Sequence, residues 1–454
     1  MIKQSVTIFV ILILAVSARV GPTSQGGTAG PAPTPELASA APTLQAVVAE
    51  ALERSAELAA LRDRIAAAEA MVRPASALPD PMASFGLVNI PVGTLALDED
   101  MMSGVELMLS QGVPQGRKRR LRREVQSQEA VMLSARYAER RNALIRDVKQ
   151  TYFDLQYLDA ARAVVDQNKL VATDLLESAE AHYATGMGLQ QDVFKAQVRL
   201  SQMIDMEVML RQERAAAATR LNRLLYRPGR EAVPRLPLLE LSTIPMAGEP
   251  LGARAEALNP RLAEMRARVA QAASKVDLAE QGIRPDFTFG FRYMVRQRLA
   301  TNPMSGEDMW SATVGVNLPW VYRRDTVDQE VVAMRAEQGA EEADLAAMRN
   351  ELAAMVEETV IGLMRSDQQL SLVETALLPQ SEGALASSRA AYETGQLEFM
   401  SVMDNQMSLY NLQLQQLSLI AEHERKQAAL EYLVGGPLAQ DSVPSVAEVS
   451  SDAR

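Results

Sequence analysis

The sequence predicts a mainly α-helical chain with a small β part, built from one unit written twice. Three observations carry that prediction. Helix formers dominate the composition, with only 4% aromatic residues and 23 methionines in 454 residues, a balance suited to long helices packed side by side. "AHYATGMGLQQDV" at 181–193 returns as "AAYETGQLEFMSV" at 390–402, a step of 209 residues from Tyr183 to Tyr392, and "RLNRLLYRP" (220–228) returns as "ALEYLVGGP" (429–437) at the same step. A repeat of that length decides the architecture before any single element does. Finally, each half holds short alternating segments between its helical stretches, the period-2 pattern of strands with one apolar face.

Residues 1–18 are expected to be a cleaved signal peptide. Lys3 supplies the charge, Val6–Val16 is apolar apart from Thr7, and Val16-Ser17-Ala18 supplies small residues for cleavage. That run is too short to span a bilayer. Residues 19–43, rich in Pro, Gly and Ser, read as an extended arm. The first repeat covers 44–230: a helix from Leu44 to Arg73 stopping at Pro74, strands at about 82–92 and 103–113, a long helix, a tip near 184–189 and a returning helix. A linker at 231–249 leads to the second repeat, 250–437, with strands at about 286–297 and 309–319 and a tip near 393–398. Residues 438–454 form a tail.

The long helical runs, roughly 117–183 and 323–392, place Leu144, Val148, Tyr152, Leu155 and Leu158, then Leu345, Met348, Leu352, Met355 and Val356, at helical spacing. At about 1.5 Å per residue each is near 100 Å long, and helices of that length pack laterally. Pro379 predicts a kink or break in the second run. Leu170 stands at the matching position of the first, so the two helices are expected to differ.

The strand pattern is clearest in the second repeat. Phe287, Phe289, Phe291, Tyr293 and Val295 alternate with Thr288, Gly290 and Arg292, and Ala312, Val314, Val316 and Leu318 alternate with Thr313, Gly315 and Asn317. In the first repeat Val105, Leu107 and Leu109 alternate with Glu106, Met108 and Ser110, while the strand at 82–92 has two possible registers. Trp310 and Trp320 are the only tryptophans. They bracket the last strand on its apolar face by parity, either as ordinary residues of a soluble sheet or as an aromatic girdle. Ten residues at about 3.4 Å, tilted near 40°, span roughly 25 Å, the apolar height of an outer-membrane barrel. Four strands cannot close a barrel, and open edges are prohibitive in lipid. Three chains would supply twelve. The competing arrangement is a secreted coiled-coil scaffold with no membrane strand.

Other signals exclude whole classes. A net charge of −11 opposes nucleic-acid binding. "GRKRRLRR" (116–123), with Arg323 and Arg324 repeating its placement, reads instead as a cationic corner after a membrane strand, facing anionic headgroups. The absence of cysteine removes disulfides and thiol catalysis. His182 and His423 are too few and too far apart for a histidine metal site, and "HERKQ" lacks the second His of a zinc-protease helix. Most methionines read as core filler, with Met101-Met102 the pair best placed to be otherwise. No cofactor site and no catalytic constellation is predicted.

Taken together, "LPDPMASFGL" (78–87), "VPQGRKRRLRRE" (113–124), "YATGMGLQQDVFKAQVRL" (183–200) and "LLPQSEGALASSRAAYETGQLEFMSVMDNQMSLYNLQ" (377–413) resemble the TolC-like outer-membrane efflux factors. "LPDPM" and the methionine content look most like the heavy-metal branch, that of the copper and cobalt–zinc–cadmium exporters. The resemblance implies a homotrimer: a twelve-stranded outer-membrane barrel, four strands per chain, continuous with a long α-helical periplasmic tunnel. It implies a periplasmic adaptor, a proton-driven inner-membrane pump and outer-membrane lipid as partners, and a passive duct that is not an enzyme. Heavy-metal ions are the implied cargo, with drug efflux or type I protein secretion as the alternative. Carried onto this sequence, the adaptor-binding tips are Thr185, Gly186, Met187, Gly188, Leu189 and Asp192, and Thr394, Gly395, Gln396, Leu397 and Phe399. The pore constriction falls at Asp404 and Ser401, the latter equivalent to Asp192.

Overall fold

The computed structural model describes residues 42–438 apart from 94–95, 98–99, 101, 243–250 and 298–305. The expected signal peptide, nearly all of the arm and tail, Met101, and parts of the linker and both outer loops lie outside the described residues.

The chain opens on two capped helices. Thr43 caps α1 (Leu44–Arg54) by accepting from the Ala46 amide, and Ser55 caps α2 (Ala56–Ala75) by accepting from Leu58, both at 3.3 Å. The single expected helix is thus broken at Ser55, and it runs one residue past Pro74. Strands β1 (Met82–Val88) and β2 (Gly104–Val113) follow, then α3 (Gly116–Ala184) and α4 (Gln190–Leu224). The second repeat gives α5 (Leu251–Leu258), α6 (Pro260–Glu280), β3 (Phe287–Arg296), β4 (Met309–Val316), the single turn α7 (Pro319–Tyr322), α8 (Arg324–Leu372), α9 (Leu378–Glu393) and α10 (Phe399–Val434).

The helix α3 runs 69 residues without interruption. Its counterpart is interrupted by a π-turn at Val373–Leu377, where the Leu378 N–H donates to the carbonyl of Val373, five residues back. Pro379 accounts for the position. It has no N–H and would crowd the carbonyl of Thr375, so the backbone widens one turn earlier instead of breaking. At the equivalent Leu170, α3 stays regular.

The helix α3 packs against α2, α4, α6 and α10. Leu144, Val148, Tyr152, Leu155 and Leu158 line the largest core with Leu210, Leu221 and Leu225 from the α4 side, while Leu352, Val356 and Leu363 of α8 pack with Leu430 and Val434 of α10. The described part of the linker is tied to this bundle. The Arg214 guanidinium donates to Asp159 at 2.6 Å and to the carbonyls of Val233 and Pro234 at 3.2 Å, and the Ser242 amide donates to the buried Glu424 at 2.7 Å.

The four strands form one antiparallel sheet in the order β1-β2-β3-β4, so the two hairpins of the two repeats join through β2 and β3. Phe85 pairs with Leu107, Leu107 with Tyr293, and Tyr293 with Trp310. That settles the ambiguous first strand, since directly opposed residues share a face: Ala83, Phe85 and Leu87 lie on the apolar side.

Where sheet meets helix, Lys118 is only 6% exposed. Its ammonium donates to the Arg284 carbonyl at 2.7 Å and bridges Asp286 at 3.0 Å. The basic stretch therefore does not act as one headgroup-facing patch: Lys118 turns inward and Arg119 donates to the Ser76 carbonyl at 2.8 Å, leaving Arg117, Arg120, Arg122 and Arg123 exposed. Burial works to raise the Asp286 carboxyl, but the Gln115 amide and the Lys118 ammonium outweigh it and hold it below its ordinary range. A group held low in the folded state stabilises fully above its unfolded value. The contribution of this pair should be complete at neutral pH and lost as pH falls below about 4. Lys118→Ala should cost on the order of 2 kcal/mol, read as a lower unfolding temperature at pH 7 and a smaller difference from wild type in strong acid.

Candidate functional site

Two features set this chain apart from a soluble helical bundle, and they belong to different parts of it. The first is the sheet. Its apolar face carries Phe85, Leu107, Leu109, Phe289, Phe291, Trp310 and Val314, all about half exposed or more. A soluble monomer does not present aromatic and aliphatic surface on that scale. The opposite face holds Ser, Thr, Gly, four Met, Val88 and Arg296, with Glu106 and Arg292, which pair at 3.2 Å. Apolar outside and polar inside is the pattern of a barrel wall in lipid. No described helix is long and apolar enough to cross a membrane.

Trp310 is 70% exposed, opposite Tyr293 and stacked on Phe291 with ring centroids 6.3 Å apart. Trp320 is not on the strand. The Asn317 side chain accepts from the Asp286 amide at 2.5 Å, and the Asn317 amide donates back to Asp286 at 3.2 Å, closing the ladder. Pro319 then opens α7, so counting by twos no longer gives a face, and Trp320 lies beside Arg117 and Arg284 at the corner.

The second feature is the pair of helix reversals. Gly186 has φ 76° and Gly395 φ 72°, the left-handed region glycine enters without strain. The Gly186 amide donates to Tyr183 at 3.0 Å and the Met187 amide to His182 at 2.9 Å; the Gly395 amide donates to Tyr392 at 2.9 Å and the Gln396 amide to Ala391 at 2.8 Å. These are two identical Schellman closures. Thr185 and Thr394 repeat each other too, their hydroxyls donating to the carbonyls three and four residues back. Gly188 has no counterpart glycine: a Cβ there would fall 3.0 Å from that of His182, whereas Leu397 at the equivalent place packs into the tip core.

The two hairpins are held together by Leu175, Ala179, Leu385, Phe399, Val402 and Met403, with the His182 and Tyr392 rings 4.8 Å apart. Burial and the Asp192 carboxylate push the Tyr392 phenol up, against a hydrogen bond with Ser178. Met187 is 75% exposed, and Leu189 and Tyr183 are exposed beside it. Thr185, Gly186, Thr394, Gly395 and Gln396 are also exposed, and Gly188, Asp192 and Leu397 partly so. Phe399 departs from its expected place among the tip contacts. At 2% exposure it lies on the inward face of the first turn of α10, against Tyr392, and it is a packing residue. Asp404 is exposed and Ser401 half-buried. Among the described residues no group of three His, Cys, Asp or Glu side chains is placed to hold a metal. Met102 is half exposed in the outer loop.

A polar-faced sheet with an apolar back, fed by long helical hairpins, defines an outer-membrane channel protomer. The chain belongs to the outer membrane efflux protein family, whose profile, described as "Outer membrane efflux protein", matches residues 47–225 and 251–436, one segment in each repeat. The fold is shared with VceC of Vibrio cholerae (TM-score 0.74, 18% identity, covering 87% of this chain and 97% of that one). It is shared with CusC (0.73, 15%, 87% and 92%), and with MtrE of Neisseria gonorrhoeae in its open state (0.67, 17%, 88% and 90%). A comparison with curated protein sequences gave no match. The fold class predicted from the sequence, a trimeric twelve-stranded barrel continuous with a helical tunnel and built on a twofold repeat, is that of the family. Family and fold are those of passive efflux channels.

The tip geometry separates two kinds of substitution. Gly395→Ala has open space for its methyl and should cost about 1 kcal/mol through backbone strain alone. Phe399→Ala empties the tip core and should cost about 3 kcal/mol. Amide exchange in 385–403 should accelerate far more in the second variant.

Proposed function

We propose that three copies of this chain form the passive outer-membrane exit duct of a tripartite pump, exported by a cleaved signal peptide, with heavy-metal ions as cargo. One observation carries the duct: a four-stranded sheet with a lipid-type face and two outer edges, β1 and β4, that pair with nothing among the described residues. In hydrocarbon those edges must find partners, and β4 of one copy meeting β1 of the next closes the ring without any new element. Trp310 then sits in the outer-leaflet interface, and Arg117, Arg120, Arg122 and Arg123 reach the periplasmic headgroups.

At the far end of the helices, the six tips of a trimer present Thr185, Gly186, Met187, Gly188 and Leu189, and Thr394, Gly395, Gln396 and Leu397, to the helical hairpins of a periplasmic adaptor. Asp192, Ser401 and Asp404, within the first turns of α4 and α10, ring the entrance. Energy comes from a proton-driven inner-membrane pump. The metal assignment is supported by the likeness of "LPDPM" to the heavy-metal branch; the same duct would serve drug efflux or protein secretion.

Outer-membrane fractions should yield a heat-modifiable oligomer of three chains; a protein released by salt washing would sink the proposal. Gly186→Pro and Gly395→Pro require φ near −65° where φ is 76° and 72°. They are expected to abolish export while leaving membrane insertion and trimer intact, and full export by both would remove the tips from the mechanism.

A further inference from the structure

The four strands contain four methionines: Met82, Met108, Met294 and Met309. All four lie on the polar face. Pairing places Glu106 opposite Met294 and Met294 opposite Met309 in one row, Met108 opposite Arg292 in the next, and Met82 opposite Ser110 in the third. The apolar face, where a methionine serving as greasy filler belongs, has none. Chance predicts an even split and packing the reverse, because the lipid side is the side that rewards an apolar side chain.

The neighbours leave the thioethers available. Glu106 and Arg292 are tied to each other, so the nearest hard donor is already paired. Gly104 and Gly290 stand beside Met294 and Met108, where an added Cβ would lie 3.2 Å from Met294 Cγ and 3.5 Å from Met108 Cε, although the closer contacts at both glycines are to Val295 and Thr313. Successive rows on one face are about 7 Å apart along the strands. Thioethers are soft, neutral donors that select monovalent soft cations and lose no proton on binding. No described group of hard ligands competes with them.

We propose that Met82, Met108, Met294 and Met309 form a ladder of weak soft-metal contacts up the barrel lumen, for copper(I) or silver(I). The proposal rests on the duct reading above and narrows its cargo to soft monovalent cations. Each copy in the trimer contributes one methionine per rung, or two in the row of Met294 and Met309. Contacts of this kind replace part of the ion's solvation at each rung without trapping it, as conduction requires.

The test uses the full-length detergent-solubilised trimer dialysed against micromolar silver nitrate in chloride-free buffer. Wild type should bind several more silver ions per trimer than M82L/M108L/M294L/M309L, with the difference unchanged between pH 5 and 8. M294L/M309L should lose about half of it. Leucine keeps volume and apolarity, and heat-modifiability reports that each variant is assembled. Equal silver binding by an intact wild-type and quadruple-variant trimer overturns the ladder, as does a difference that disappears at pH 5, because a thioether has no proton to take up there. A wild-type chain that gives no membrane trimer fails the duct reading instead, before silver is added.

Discussion

A backbone amide that faces hydrocarbon has nothing to bond to except another strand, and this chain depends on that constraint. Its sheet has an apolar face that water would penalise and two outer edges that lipid would penalise, so neither a soluble monomer nor a membrane monomer satisfies it. Closure with further copies satisfies both at once. The rest of the chain follows from where closure puts the strand ends. Each hairpin feeds a long helix directly, through Pro114 in one repeat and Pro319 in the other, and the junction is locked by Lys118 reaching back to Asp286 and the Arg284 carbonyl. Those contacts join the first residues of α3 to the first residues of β3. The two repeats are thereby bonded at the level where sheet becomes tunnel.

Repetition of the tips illustrates which interactions tolerate sequence change. The Schellman closures at Gly186 and Gly395 are made by backbone groups, so Met187 and Gln396 occupy the same place with the same bond. What the backbone does not specify has diverged. Gly188 lets its loop settle on His182, while Leu397 turns into the core beneath. The π-turn at Val373–Leu377 is a second departure, imposed by Pro379 on one repeat and absent from the other. The chain is therefore twofold in hydrogen bonding and only approximately twofold in surface and shape.

Local chemistry was legible in the sequence and non-local chemistry was not. The alternation of Phe287, Phe289, Phe291 and Tyr293 and the two Thr-Gly reversals are written in consecutive residues. The face of β1 is decided by Phe85 meeting Leu107, a pairing no window around residue 85 contains. Parity does not place Trp320, because the bonds of Asn317 to Asp286 and the missing amide of Pro319 end the ladder before it. Phe399 adjoins a tip in sequence yet is buried. Which face of α10 it takes depends on Tyr392 and the facing hairpin. The inward turn of Lys118 was hidden in a run of like charges, its partner lying 168 positions away.

The lumen face shows how a passive duct handles charge. An unpaired carboxylate or guanidinium in the wall would hold a counter-ion in place and repel the opposite sign, and a site deep enough to capture is too deep to release. Glu106 and Arg292 cancel each other at 3.2 Å, Arg296 at the end of β3 donates to the Glu307 carbonyl at 2.8 Å, and the other positions of that face are hydroxyls, glycines, thioethers and Val88. Away from Arg296 at the strand end, such a wall carries little field of its own. Direction must then be imposed from the other end, where Asp192 and Asp404 stand near the tips. Soft, neutral donors on such a wall discriminate by polarisability rather than by charge.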